Sequence, residues 1–154
     1  MKKLSYIVIA ALLTAFSILD GLSQNCKKFH LYGTCMQYSG PSYKMDMQSR
    51  SNIIGIGDKL TYNVVFYGER DYKLYFCASE LFNPVHYILT DGGTGELIYD
   101  SQKDDYAEMI ELSIDNTRKI MIEISVLAHK ADPQVTDNYF GCVGFLMDWK
   151  PMKK

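Results

Sequence analysis

The chain has 154 residues, of which 47% are hydrophobic, 22% charged and 13% aromatic. That is enough apolar material for one cored domain, and it excludes a disordered or collagen-like chain. A formal charge of -2 supplies neither a basic surface for nucleic acid nor an acidic tail.

Residues 1–24 read as a secretory signal peptide. Lys2 and Lys3 give the positive start, Tyr6 to Leu19 is apolar and uncharged, and Gly21 and Ser23 are the small residues of a cleavage after Ser23. The apolar stretch is short against the roughly 20 residues that span a bilayer, so a membrane anchor is the weaker reading. Cys26 follows Gln24-Asn25 rather than a small residue, which argues against a lipidated start. The expected product begins at Gln24 or Asn25, with residues 25–154 as one exported domain, periplasmic or extracellular and not membrane-spanning. Losing Lys2, Lys3 and Asp20 moves its formal charge to -3.

From Ser42 onward, alternating apolar runs are separated by turn residues, the pattern of an antiparallel β protein. The expected strands, in order, are part of Tyr43–Ser51 with an extension into Ile53–Ile56, then Lys59–Tyr67, Asp71–Ser79, Val85–Asp91 and Glu96–Asp100. Tyr106–Ile114, Arg118–Leu127 and Cys142–Trp149 follow. Gly57-Asp58, Gly68-Glu69, Gly92-Gly93-Thr94-Gly95 and Asp115-Asn116 suit the tight turns between them. The glycine-rich run joins two strands and lacks a lysine, so it is a β-turn and not a phosphate loop.

Period-two parity selects a core face. Leu60, Tyr62, Val64 and Phe66 share one side, as do Tyr72, Leu74 and Phe76, and then Ile110, Leu112 and Ile114. Ile120, Ile122, Ile124 and Val126 form the clearest inward row, and Val143, Phe145, Met147 and Trp149 complete the set. About eight strands with one buried face each predict an all-β fold of two packed antiparallel sheets, a β-sandwich.

The four cysteines, Cys26, Cys35, Cys77 and Cys142, all survive signal cleavage, and an even number in an exported domain reads as two disulfides. Three pairings are open. Cys77 and Cys142 are both out of phase with the core rows, so parity favours Cys77–Cys142 across neighbouring strands. Cys26–Cys35 would then clip a small N-terminal loop.

The run Gly57-Asp58-Lys59-Leu60-Thr61-Tyr62-Asn63-Val64-Val65-Phe66-Tyr67-Gly68-Glu69-Arg70-Asp71-Tyr72-Lys73-Leu74, the later Gly95-Glu96-Leu97-Ile98-Tyr99-Asp100, and Arg118 to Ile124 set an order of strands and turns. Over about Gly57–Trp149 this order resembles jelly-roll sandwiches of the bacterial pre-peptidase C-terminal type. The chain is also similar to small exported proteins of Bacteroidetes-type bacteria with Cys-Ala-Ser-Glu and Gly-Cys-Val-Gly segments. The resemblance implies an ancillary domain that binds or assists; it carries over no catalytic residue.

Residue chemistry points the same way. Cys26-x3-His30-x4-Cys35 lacks a fourth zinc ligand and competes with disulfide formation. There is no Gly-x-Ser-x-Gly elbow, and His30, His86 and His129 are scattered, so neither a catalytic triad nor a cofactor is expected. Glu108 and Glu111 fall on opposite faces of a strand. Asp91, Asp100, Asp104 and Asp105 could offer oxygens to calcium, but they lack a dedicated loop spacing and read as turn residues. Tyr62 and Tyr72 have core parity, whereas Tyr67 and Tyr75 have outward parity on adjacent strands. Outward tyrosines can anchor a protein partner or stack on sugar rings. The expected function is therefore a non-enzymatic binding or envelope-associated module contacting an envelope or secreted protein. The alternative is a carbohydrate-binding module using Tyr67 and Tyr75, and a small hydrolase or inhibitor is the third class.

Overall fold

The computed structural model describes residues 26–32, 35–36, 40–127 and 139–153; the expected signal peptide and His129 lie outside the described residues. Nine strands are described: β1 (Lys44–Met45), β2 (Arg50–Gly55), β3 (Lys59–Phe66), β4 (Arg70–Ala78), β5 (Val85–Asp91), β6 (Leu97–Asp100), β7 (Met109–Ile114), β8 (Arg118–Val126) and β9 (Phe140–Pro151). They form two antiparallel sheets. The first runs β1-β9-β4-β7 with β2 also paired to β9, and the second runs β3-β8-β5-β6. The pairs β2–β9, β3–β8, β4–β7 and β5–β6 come from strands ever closer in sequence, as if one long hairpin had been rolled up. That is the jelly-roll arrangement, and the all-β sandwich reading stands.

The parity rows meet between the sheets. Val64, Phe66, Tyr72, Leu74, Phe76, Ile110, Ile114, Ile120, Ile122, Ile124, Val143, Phe145 and Met147 lie in one buried cluster with Tyr87 and Leu89. Phe76 of the first sheet stacks on Tyr87 of the second at 3.5 Å between ring centroids, so aromatic contact ties the layers. The Tyr87 hydroxyl donates to the Ala107 carbonyl at 2.5 Å, which satisfies the one polar atom of a fully buried ring.

Two boundaries differ from the sequence reading. The first expected strand is broken by a turn at Asp46–Ser49, where the Ser49 side chain takes one ladder position: the Met147 N–H donates to Ser49 Oγ at 3.0 Å, while the Met147 carbonyl still accepts from the Asp46 N–H at 2.7 Å. The strand expected from Tyr106 starts only at Met109, because Asp105 and Tyr106 adopt left-handed φ of 45° and 57°. A run of residues in that region cannot join a ladder.

The disulfide pairing is a correction. The bridges are Cys26–Cys142 and Cys35–Cys77. Parity correctly sends Cys77 and Cys142 to the outer face of the first sheet. The register, however, sets Gly144 opposite Cys77, and Cys142 lies beside Ser79, whose N–H donates to the Cys142 carbonyl at 2.8 Å. The two sulfurs are offset along the sheet, and each takes a partner from the N-terminal segment instead. That segment, including the 3-10 turn Cys26–Leu31, is thereby stapled onto the outer face. Phe29, Cys35, Cys77, Tyr75 and Leu146 make a second apolar cluster beneath it. Gly144 makes the approach possible, since a β-carbon there would lie 2.8 Å from Ser51 Cβ and 3.2 Å from His30 Cβ.

Non-reducing peptide mapping is expected to join the Cys26 peptide to the Cys142 peptide and the Cys35 peptide to the Cys77 peptide. With bridged residues 116 and 42 apart, loop entropy predicts losses of up to about 5 and about 4 kcal/mol for the respective paired serine variants, read by denaturant unfolding.

Candidate functional site

The two tyrosines singled out by outward parity have different fates. Tyr75 does project from the outer face of the first sheet, but it is 3% exposed, because the stapled N-terminal segment covers it. Tyr67 is 47% exposed, and its ring is faced by the Arg70 guanidinium at 5.0 Å. They are not brought together, and Tyr75 is corrected from surface platform to outer-cluster residue.

Around Tyr67 the fold assembles a different site. Arg70 opens β4 at a core-parity position, so its side chain lies at the mouth between the sheets. There it stacks on Trp149 at 3.8 Å, with Tyr67 beside it. Lys44, paired with Trp149 across the β1–β9 ladder, approaches the same indole at 5.7 Å. On the neighbouring face Tyr43 receives Lys73 at 5.0 Å and Lys150 at 4.9 Å. Three aromatics and four cations therefore interleave along one rim of the sandwich.

The rim is held rigidly. Tyr72 is fully buried; its hydroxyl accepts from the Tyr67 N–H at 2.8 Å and donates to the Tyr67 carbonyl at 3.2 Å, so both backbone groups of Tyr67 are fixed. Burial pushes the Tyr72 phenol above its ordinary value, which keeps the donating proton in place. The Gly68-Glu69 turn is locked to the β7–β8 turn. A β-carbon at Gly68 would meet the Asp115 carbonyl at 2.6 Å, and Glu69, at φ 55°, donates to that carbonyl at 3.2 Å. Beside it lies an open groove of about 550 Å³ lined by Glu69, Asp115, Pro151, Met152 and Lys153.

Charge on the rim is unevenly matched. Lys73 pairs with Glu111 at 2.8 Å and Lys150 with Asp71 at 3.8 Å. Lys44 and Arg70 have aromatic neighbours and no carboxylate partner among the described residues. Sequence parity placed Trp149 in the core row and passed over Arg70. A cation at a core-parity position at the start of a strand was the available signal, because such a residue can only sit where the core opens.

The other candidates are committed locally. Asp91 accepts from the Gly93 and Thr94 N–H groups at 2.8 and 2.9 Å, closing the glycine turn; Asp100 accepts from the Gln102 N–H and meets His86 Nε2 at 2.8 Å; Asp104 takes the Tyr99 hydroxyl at 2.9 Å. Cys26 and Cys35 are bridged, so the N-terminal zinc pattern is not available, and no acid–histidine–cysteine grouping suited to a metal occurs among the described residues. Ser51 donates to the Cys26 carbonyl at 2.6 Å, which leaves it to accept from His30 Nδ1 at 2.9 Å. That polarity is opposite to a serine activated by a histidine base.

No family model matches the chain, and no curated protein matches it. Among solved structures, it is similar to Aeromonas hydrophila PliG, described as a periplasmic lysozyme inhibitor of g-type lysozyme. The TM-score is 0.47 at 10% identity, covering 66% of this chain and 84% of that one.

The turn carboxylates set an acid limit. The Thr94 and Gly93 N–H groups hold Asp91 below the usual carboxylate range, and the His86 hydrogen bond does the same for Asp100. Lowered folded values mean that the stability they contribute is present above the unfolded value of 3.8 and is lost as pH falls through the lower folded values. Asp91→Asn and Asp100→Asn are expected to flatten the fall in melting temperature below that pH, measured by thermal scans.

Proposed function

We propose that the chain is an exported, non-enzymatic binding module that contacts another envelope or secreted protein through the rim of Tyr43, Lys44, Tyr67, Arg70 and Trp149. The Tyr67–Arg70–Trp149 stack carries this reading. Arginine, tyrosine and tryptophan are the residues that most often anchor protein interfaces. Here they are pre-positioned by Tyr72 and by the locked turns, so binding forfeits little side-chain entropy. Export is supported by the signal-like residues 1–24 and by the two disulfides, which suit an oxidising compartment.

The unmatched Lys44 and Arg70 favour a partner with acidic side chains at the contact. The carbohydrate alternative requires open ring faces on Tyr67 and Tyr75. One ring is already faced by Arg70 and the other is buried, so the geometry argues against that platform.

Crosslinking of the oxidised protein in extract of its own organism is expected to capture one protein at near-stoichiometric yield. Lys44→Glu with Arg70→Gln should reduce that capture about tenfold or more without lowering the melting temperature, while Lys103→Glu on a distant turn should leave it intact. Equal capture by both variants would overturn the assignment of the rim.

A further inference from the structure

An antiparallel edge strand turns the N–H and C=O of alternate residues toward its one neighbour and the others outward. In β3 the outward set is the odd residues. The Val65 N–H donates to Gln48 Oε1 and its carbonyl accepts from Gln48 Nε2, both at 2.9 Å, while the Tyr67 backbone groups are taken by the Tyr72 hydroxyl. By that alternation Lys59, Thr61 and Asn63 present their backbone groups to the open edge. Their side chains are exposed, and no hydrogen-bond partner meets this edge among the described residues. Beneath it, Leu60 and Tyr62 have core parity yet are only half-buried. The Tyr62 hydroxyl is buried with no hydrogen-bond partner among the described residues.

The free ladder has defined ends. The Gly57-Asp58 turn, with Gly57 at φ 83°, bounds one end, and the Gln48 side chain occupies the next position at the other. We infer that Lys59–Asn63 pairs with the same segment of a second copy, antiparallel about a two-fold axis at Thr61.

The occupant follows from the register. Both copies must use odd residues, and a two-fold at Thr61 sets Thr61 opposite Thr61 and Lys59 opposite Asn63 twice, giving about six backbone hydrogen bonds at two per facing pair. Moving the axis one residue toward Val65 brings in the position that Gln48 already occupies. Moving it one residue the other way draws the Gly57 turn into the ladder. Only the Thr61 register uses all of the free stretch and nothing else. Like charges do not meet across it, because Lys59 faces an amide and is already paired with Glu123 at 2.7 Å on its own copy. On the inward side Leu60 meets Tyr62, so each copy covers the half-exposed pair of the other. The two second sheets would then run on as one. This inference needs no other protein and uses residues away from the rim, so it can fail independently of the proposed function.

Five paired residues a side give a contact below about 1,200 Å² in total, which implies a concentration-dependent equilibrium. Sedimentation velocity of the oxidised chain across a concentration series is expected to show monomer converting to dimer. Asn63→Glu places a carboxylate opposite Lys59 twice and should tighten the dimer about threefold to tenfold at low salt; Asn63→Lys should loosen it similarly. Thr61→Pro removes an edge-facing N–H that β8 does not use, and it should abolish the dimer while the melting temperature stays near that of the parent. A chain that remains monomeric up to about 1 mM overturns the inference. So does a dimer indifferent to all three substitutions, which would mean pairing through another face.

Discussion

Strands β4 and β9 are buried on both faces, and the rest of the molecule follows from that condition. Phe76, Val143, Phe145 and Met147 point into the space between the sheets, whereas Tyr75, Cys77, Cys142 and Leu146 point away from it and are buried all the same. A sandwich of two sheets covers only one side of each strand. The outer side of this pair needs a third layer, which the N-terminal segment provides. Its stretch Cys26–Leu31 is short and turns through a 3-10 conformation, so that stretch has little ladder or helix of its own to hold it there. Two covalent ties, one to each of the central strands, supply the attachment that backbone pairing does not.

That layer makes the molecule asymmetric. The first sheet is covered outside near its disulfides and becomes charged toward the opposite end, where Asp71, Lys73 and Lys150 share the face with Tyr43. The second sheet has no such cover among the described residues. Its outer face is a mixture of Thr61, Asn63, Met121, Glu123, Ile88 and Thr90, all exposed or half-buried. The proposed contacts lie at the places where the wrap ends: the mouth between the sheets, where Arg70 and Trp149 stack, and the first edge of the second sheet.

The fold was legible in the sequence to the extent that it depends on period two. Ile120, Ile122, Ile124 and Val126 could hardly occupy anything but an inward row, and all four are buried. Parity also gave the direction of Cys77 and Cys142. What parity cannot give is the stagger between strands, and the stagger decided the pairing, since Gly144 rather than Cys142 lies opposite Cys77. Tyr75 shows the same limit. Its direction was readable, but its burial depends on a segment some forty residues earlier in the chain, tied down by the Cys35–Cys77 bridge whose residues are 42 apart. Arg70 and Trp149 belong to rows named correctly, yet a row does not reveal where the core stops. Both reach the rim because their rows run past its end.

Gln48 illustrates how such ends are finished. The Asp46–Ser49 turn interrupts the first edge of one sheet, and the residue it frees reaches the other sheet and pairs with Val65 through two hydrogen bonds, as a strand would. Its position is itself held: the Gln48 N–H donates to Asp46 Oδ1 at 2.9 Å, and Asp46 is nearly buried. A primary amide presents an N–H and a carbonyl side by side, as a strand residue does, so it can close one step of a ladder without adding a residue to it, and its second N–H donates to Asp46 Oδ1 at 3.3 Å. The interruption in β1–β2 is thus more than a flaw in an edge strand. It limits the pairing open to β3, leaving Lys59–Asn63 as the stretch whose edge-facing backbone groups meet no partner among the described residues, and it does so at a distance from the Arg70 stack. An edge bounded by a built-in amide at one end and a glycine turn at the other selects register before it selects strength. Specificity in sheet pairing is mostly a matter of excluding the neighbouring registers.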